Sequence, residues 1–96
     1  MALSVELSDR ARQDIEQIAG YLSENWSEQV KLNFLVTLAD KMRLIGQMPY
    51  LYKASRQEPS IRECVLTKHT VIFYRVTDQS VEIITIKGTR QRSGEF

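Results

Sequence analysis

The spacing of apolar residues changes period twice along this chain, and that change limits the folds open to it. Leu3, Val5 and Leu7 alternate with Ser4, Glu6 and Ser8, the period of two expected of a half-buried strand. From Ala11 the rhythm becomes helical: Ala11, Ile15, Ile18 and Leu22 fall at intervals of four, three and four, on one face. Ser8 is placed to cap this helix, with Asp9 in the first turn against the positive end of the helix dipole, and the spacing predicts a helix over 9–24. Asn25-Trp26-Ser27 interrupts the pattern. Ser27 then caps a second helix, with Glu28 in its first turn and Val30, Phe34, Leu38, Ile45 and Met48 on its apolar side, widened by Leu35, Met42 and Leu44. Pro49 disfavours helical geometry at Met48, so the helix ends near there. Two helices joined by so short a break form an antiparallel hairpin, whose apolar stripe needs a sheet beneath it.

The second half supplies that sheet. Residues 50–60 read as an exposed connection, after which three strand-like runs follow at 61–66, 69–76 and 81–86. Thr67-Lys68 and Thr77-Asp78-Gln79-Ser80 are the turns between them, and Gly88 opens an irregular tail. Val71-Ile72-Phe73-Tyr74 has the β-branched and aromatic content that favours strands, and its unbroken apolar character marks a buried central one. The expected order is β-α-α-β-β-β: an α+β fold, a helical hairpin packed on a mainly antiparallel four-stranded sheet. Residues 1–96 are read as one domain, a size at which the core is modest.

Composition excludes several classes. Cys64 is the only cysteine, so no intrachain disulfide forms, and no Cys/His cluster calls for a metal. The first residues lack the basic and apolar segments of a signal peptide, and no run approaches the ~20 apolar residues that cross a bilayer. A cytoplasmic setting without membrane contact is the expectation. No Walker loop, dinucleotide fingerprint or nucleophile–His motif is present, and no cofactor is expected. The net charge is only +1, but residues 1–49 carry five Lys/Arg against seven Asp/Glu, and residues 50–96 eight against five. The basic excess of the second half suits either an anionic partner or an ordinary solvated surface.

The polar candidates are therefore Arg62, Lys68, His69, Arg75, Lys87, Arg90 and Arg92. Arg and Lys bind phosphate and carboxylate, Arg bidentately. In the strand reading His69, Val71 and Arg75 share one face, and Thr70, Ile72 and Tyr74 the other. The basic side chains of the last three strands are expected to point together to one side. His69 is the only histidine; it is either a general base toward an RNA 2′-hydroxyl or a capping residue at a strand start. Asp14 and Glu16, or Glu24 and Glu28, read as solvated helix faces, and Trp26, Tyr50 and Tyr52 as core caps or interface residues, with base stacking an alternative.

The run Ile61-Arg62-Glu63-Cys64-Val65-Leu66-Thr67-Lys68-His69-Thr70-Val71-Ile72-Phe73-Tyr74-Arg75-Val76 resembles the paired strands of RelE/ParE superfamily toxins. So do Leu7-Ser8 ahead of an Ala-x-x-Asp-Ile-x-x-Ile helix, Asn25-Trp26-Ser27, Met48-Pro49 and the exit Ile86-Lys87-Gly88-Thr89-Arg90-Gln91-Arg92. The resemblance spans nearly the whole chain and lies nearer ParE than RelE. It implies the toxin of a bacterial type II toxin–antitoxin system, of the kind tied to plasmid stabilization. Such a toxin inhibits growth and is neutralised by a cognate antitoxin whose disordered segment folds on binding. For a ParE-like member the implied target is DNA gyrase, bound without catalytic residues, and Arg62, Arg75, Lys87, Arg90 and Arg92 are the candidate target-binding side chains. The alternative is a RelE-like endoribonuclease acting on mRNA at the ribosome, using Arg62, Lys68, His69 and Arg90. Against that pattern, Val71 and Cys64 stand where basic side chains belong, and Phe96 where a tyrosine does.

Overall fold

The computed structural model describes residues 2–88. Strand β1 (Ser4–Leu7) leads into helices α1 (Asp9–Asn25) and α2 (Glu28–Gln47), followed by strands β2 (Arg62–Thr67), β3 (Thr70–Val76) and β4 (Ser80–Gly88). Both predicted caps form: the Ser8 side chain accepts from the Ala11 N–H and that of Ser27 from the Val30 N–H. The helices end within a residue of the predicted positions, because Met48 precedes Pro49 and the Asn25–Ser27 break is too short for anything but a reversal.

The sheet order is β1-β4-β3-β2. β2–β3 and β3–β4 are antiparallel, while β1 pairs parallel with β4, Ser4 opposite Ser80 through Leu7 opposite Ile83. The sheet is therefore mixed, its one parallel pair arising because the helical hairpin carries the chain back across one face. Ala11, Phe34, Leu38 and Ile45 from the helices close on Cys64, Leu66, Ile72, Tyr74, Val81, Ile83 and Ile86 from the sheet. Burying these side chains is the main driving force for the fold, at roughly 1.5–3 kcal/mol each.

β1 is short, and its partner outruns it. Beyond Ile83 the free edge of β4 is covered by α1 instead. The Ser8 N–H donates to the Ile83 carbonyl at 3.0 Å and the Ser8 hydroxyl to the Ile84 carbonyl at 2.7 Å. Further along α1, Asp14 Oδ2 accepts from the buried Thr85 hydroxyl at 2.5 Å and from the Ile86 N–H at 3.1 Å. Asp14 is thus not the solvated helix residue that its sequence position suggested. It stands in for the strand that β1 lacks.

Close approach also fixes Gly46. Its carbonyl accepts from the Leu3 N–H at 2.9 Å, and a Cβ there would lie 2.9 Å from the Leu3 carbonyl oxygen. Only glycine lets α2 lie this close to the segment entering β1.

Candidate functional site

The basic residues of the second half are distributed by the register of the β2–β3 hairpin. Lys68 and His69 form its two-residue turn, with Thr67 opposite Thr70. A regular hairpin would continue from there to set Arg62 opposite Arg75. Instead the register shifts by one between Val65 and Thr67, so Cys64 faces Ile72 and Arg62 faces Tyr74. A one-residue shift moves every following side chain to the other face. It sends Cys64 into the helix-side core and puts Arg62 on that side too, while Arg75 keeps the outer face.

The expectation of one basic face is corrected accordingly. Arg62 points toward the segment after α2: its Nη1 donates to the Tyr52 carbonyl at 2.6 Å, and its guanidinium lies 4.9 Å from the centroid of the Tyr50 ring. Arg75, on the outer face, is half exposed and ion-paired with Glu82 across the β3–β4 pair. Lys87 lies opposite Val71, on the Arg75 side, and is largely buried. His69 is not on the strand; it sits exposed in the turn, its N–H donating to Thr67 Oγ1 at 3.1 Å, so it shares no face with Val71 and Arg75. Arg90, Arg92 and Phe96 lie outside the described residues.

Two groups result. Lys68, His69 and Lys87 gather at the end of the sheet where Thr70 meets Gly88. Arg62 and Arg75 stand near the other end, on opposite faces, level with the fourth and fifth strand positions after Thr70, about 13 and 17 Å away. The structure does not bring Arg62 together with Lys68 and His69. Val71 and Cys64 are fully buried, so neither position is open to a target.

Around Arg62 the polar environment is tight. The Tyr74 hydroxyl donates to the Pro49 carbonyl at 2.7 Å, and burial pushes its pKa up to about 12, the nearby Arg62 charge opposing the rise. Burial raises the Cys64 thiol, with Tyr52 and Lys41 pulling the other way, and it raises Tyr52 as well. No side-chain nitrogen or oxygen among the described residues is buried without a partner.

Residues 50–60 are not the simple exposed connection that composition suggested. Ser55 is buried, Ala54 forms a bridge with Arg62, and two backbone bonds tie the segment to the sheet: Ser55 N–H to the Ile61 carbonyl at 2.6 Å and Glu63 N–H to the Lys53 carbonyl at 3.1 Å. Between this segment and the outer side of β2 lies a groove of about 640 Å³, lined by Leu51, Lys53, Arg56, Val65 and Phe73 among others.

Apolar side chains also stand outside the core. Leu32 and Val36, four apart on α2, are 50% and 60% exposed. Tyr21 and Trp26 are exposed at the helical hairpin, and Met48, Tyr50 and Leu51 after α2. Scattered singly these would be unremarkable, but Leu32 and Val36 share one face of α2 as an exposed apolar pair. Among the described residues no group of three or more His, Cys, Asp or Glu is placed to hold a metal ion, and no helix is long and apolar enough to cross a membrane.

A helical hairpin over a β1-β4-β3-β2 sheet is the RelE/ParE-like fold. Solved structures share the fold. The chromosomal ParDE toxin–antitoxin system from P. aeruginosa aligns with a TM-score of 0.77 at 16% identity, over 91% of this chain and 96% of that chain. The toxin–antitoxin complex RelBE2 of Mycobacterium tuberculosis aligns at 0.66 and 14%, over 92% of each chain. The YoeB dimer of Staphylococcus aureus aligns at 0.66 and 15%, over 91% of this chain and 97% of that one. No curated protein matches the sequence. The family model for the ParE toxin of the type II toxin–antitoxin system parDE matches residues 5–92, and the chain belongs to that family.

Proposed function

We propose that this ParE-family toxin arrests bacterial growth from the cytoplasm by binding DNA gyrase, as a poison without catalytic residues of its own, and that a cognate antitoxin neutralises it. The observation that carries this reading is the family match over residues 5–92. The geometry supports it: among the described residues a nuclease would use, Arg62 is turned onto Tyr50 and Tyr52 while Lys68 and His69 stand at the far turn. Target contact on this reading draws on the half-exposed Arg75 and on Arg90 and Arg92, while Lys87 is largely buried.

Antitoxin binding fits the exposed apolar surface. Leu32 and Val36 offer α2 an anchor pair for an amphipathic helix, and the Cys64–Thr67 half of β2 leaves a sheet edge for an extended segment. A segment that folds as it binds would cover both.

The test is a supercoiling assay with purified toxin and gyrase. Inhibited supercoiling with cleaved DNA trapped on the enzyme, reversed by the antitoxin encoded beside the toxin, is the expected result. Unchanged supercoiling at toxin in excess over gyrase would defeat the proposal. Codon-positioned cuts in mRNA, lost in Arg90→Ala, would replace it with ribosome-dependent cleavage.

A further inference from the structure

Arg62 is the basic side chain that a sequence reading ranks first for anion contact, and the fold uses it otherwise. We propose that Arg62 is a positioning residue, a clasp that holds residues 49–55 against the edge of β2 and so builds the wall of the groove beside Val65 and Phe73. This holds whichever macromolecule the toxin attacks.

Four observations converge on it. The guanidinium makes two contacts with the strap: a 2.6 Å bond to the Tyr52 carbonyl and a 4.9 Å approach to the Tyr50 ring. The ring is itself 67% exposed, so it contributes nothing to the core that would hold it there otherwise. The Tyr74 hydroxyl, from the strand position opposite Arg62, binds the Pro49 carbonyl at 2.7 Å, so two neighbouring sheet side chains grip successive parts of one segment. Further along, the Ala54–Arg62 bridge with its two backbone bonds, at Ser55 and Glu63, and the Tyr52 side chain packed against the core hold the rest of the strap.

The planar guanidinium suits this task. One edge donates to a carbonyl while the face covers an aromatic ring, a combination that an ammonium group does not reproduce. With the strap held, the outward Ile61 carbonyl and Glu63 N–H are occupied, and strand pairing by a partner is confined to Cys64–Thr67. With the strap released, the edge lengthens and the groove of about 640 Å³ loses one wall. Free strand edges recruit other strands, and a covering segment is one of the ways proteins control this.

Amide hydrogen exchange of the purified toxin tests the clasp, read at the Ser55 and Glu63 N–H groups with Val81 and Ile83 as internal references. In Arg62→Gln the two strap amides are expected to exchange about tenfold faster or more, with the reference amides unchanged, as for local opening of one segment. Tyr50→Leu, which removes only an exposed ring, is expected to accelerate the same two amides by a smaller factor. Arg62→Lys is expected to restore part of the protection, not all. Unchanged exchange at Ser55 and Glu63 in Arg62→Gln overturns the proposal, as does full protection in Arg62→Lys. If Arg62→Gln loosens the reference amides as well, Tyr50→Leu decides: strap-only acceleration supports the clasp and no acceleration refutes it.

Discussion

Asp14→Ala is expected to be among the most damaging single changes on the surface of α1, although the residue looks like one of several helix carboxylates. In the folded protein one oxygen, Oδ2, accepts from the Thr85 hydroxyl and from the Ile86 N–H. Thr85 is fully buried and Ile86 is 2% exposed, so water does not easily replace the lost acceptor. A hydrogen bond to a charged group contributes about 1.5–3 kcal/mol, and a buried donor left unsatisfied costs about 1–3 kcal/mol. Two donors put the loss near 3 kcal/mol, a large share of the ~5–15 kcal/mol typical of a domain. Asp14→Asn keeps an acceptor oxygen of the same reach without the charge, and about 1 kcal/mol is expected. Urea unfolding monitored by circular dichroism measures both, provided the m-value is unchanged. Thr85→Val removes one of the donors, so the double variant Asp14→Ala/Thr85→Val should cost less than the sum of the single changes by about 1 kcal/mol. A loss below ~1 kcal/mol in Asp14→Ala, or strict additivity in the cycle, would refute the claim that this carboxylate replaces a missing strand.

Three further outcomes follow from the same geometry. Gly20 has nothing within 4 Å of a would-be Cβ, whereas at Gly46 that atom would meet the Leu3 carbonyl at 2.9 Å; Gly20→Ala should stabilise by about 0.5–1 kcal/mol and Gly46→Ala destabilise by about 1–2 kcal/mol in the same unfolding assay. Tyr74 titrates at about 12 when folded against 10.0 for the free group. Its contribution is therefore intact below pH 10 and lost as pH rises through about 12, and Tyr74→Phe should show a correspondingly weaker alkaline loss of stability. The Arg75–Glu82 pair is half exposed at the arginine, so Arg75→Gln should leave stability within about 0.5 kcal/mol while weakening target inhibition.

Most of the fold was legible in the sequence, and the site was not, for reasons that individual residues make plain. Helix caps act over three or four positions, so Ser8 and Ser27 could be read from their neighbours. Apolar period likewise revealed which helix faces are buried. Register is different, because it depends on where a strand pair slips. The single extra residue at Leu66 reverses the side on which Arg62 stands relative to Arg75, and nothing local to Arg62 signals it. The same shift places Cys64 against Ile72 in the core. His69 was read one residue too far into its strand, since a two-residue turn can begin at Thr67 or at Lys68 on composition alone. Asp14 and the strap escaped notice because their partners, Thr85 and Arg62, lie far along the chain or across a strand edge. A clue existed for Asp14: a first strand of four residues is too short to cover a partner of nine, so something on α1 had to complete the edge.

The central claim is that the toxin acts on DNA topology through binding. Its most direct measurement is the linking number of a reporter plasmid recovered from cells shortly after the toxin is induced without antitoxin. The account predicts loss of negative supercoils and the appearance of linear plasmid before growth stops, both prevented when the antitoxin is co-expressed. Growth arrest with plasmid topology unchanged would contradict it.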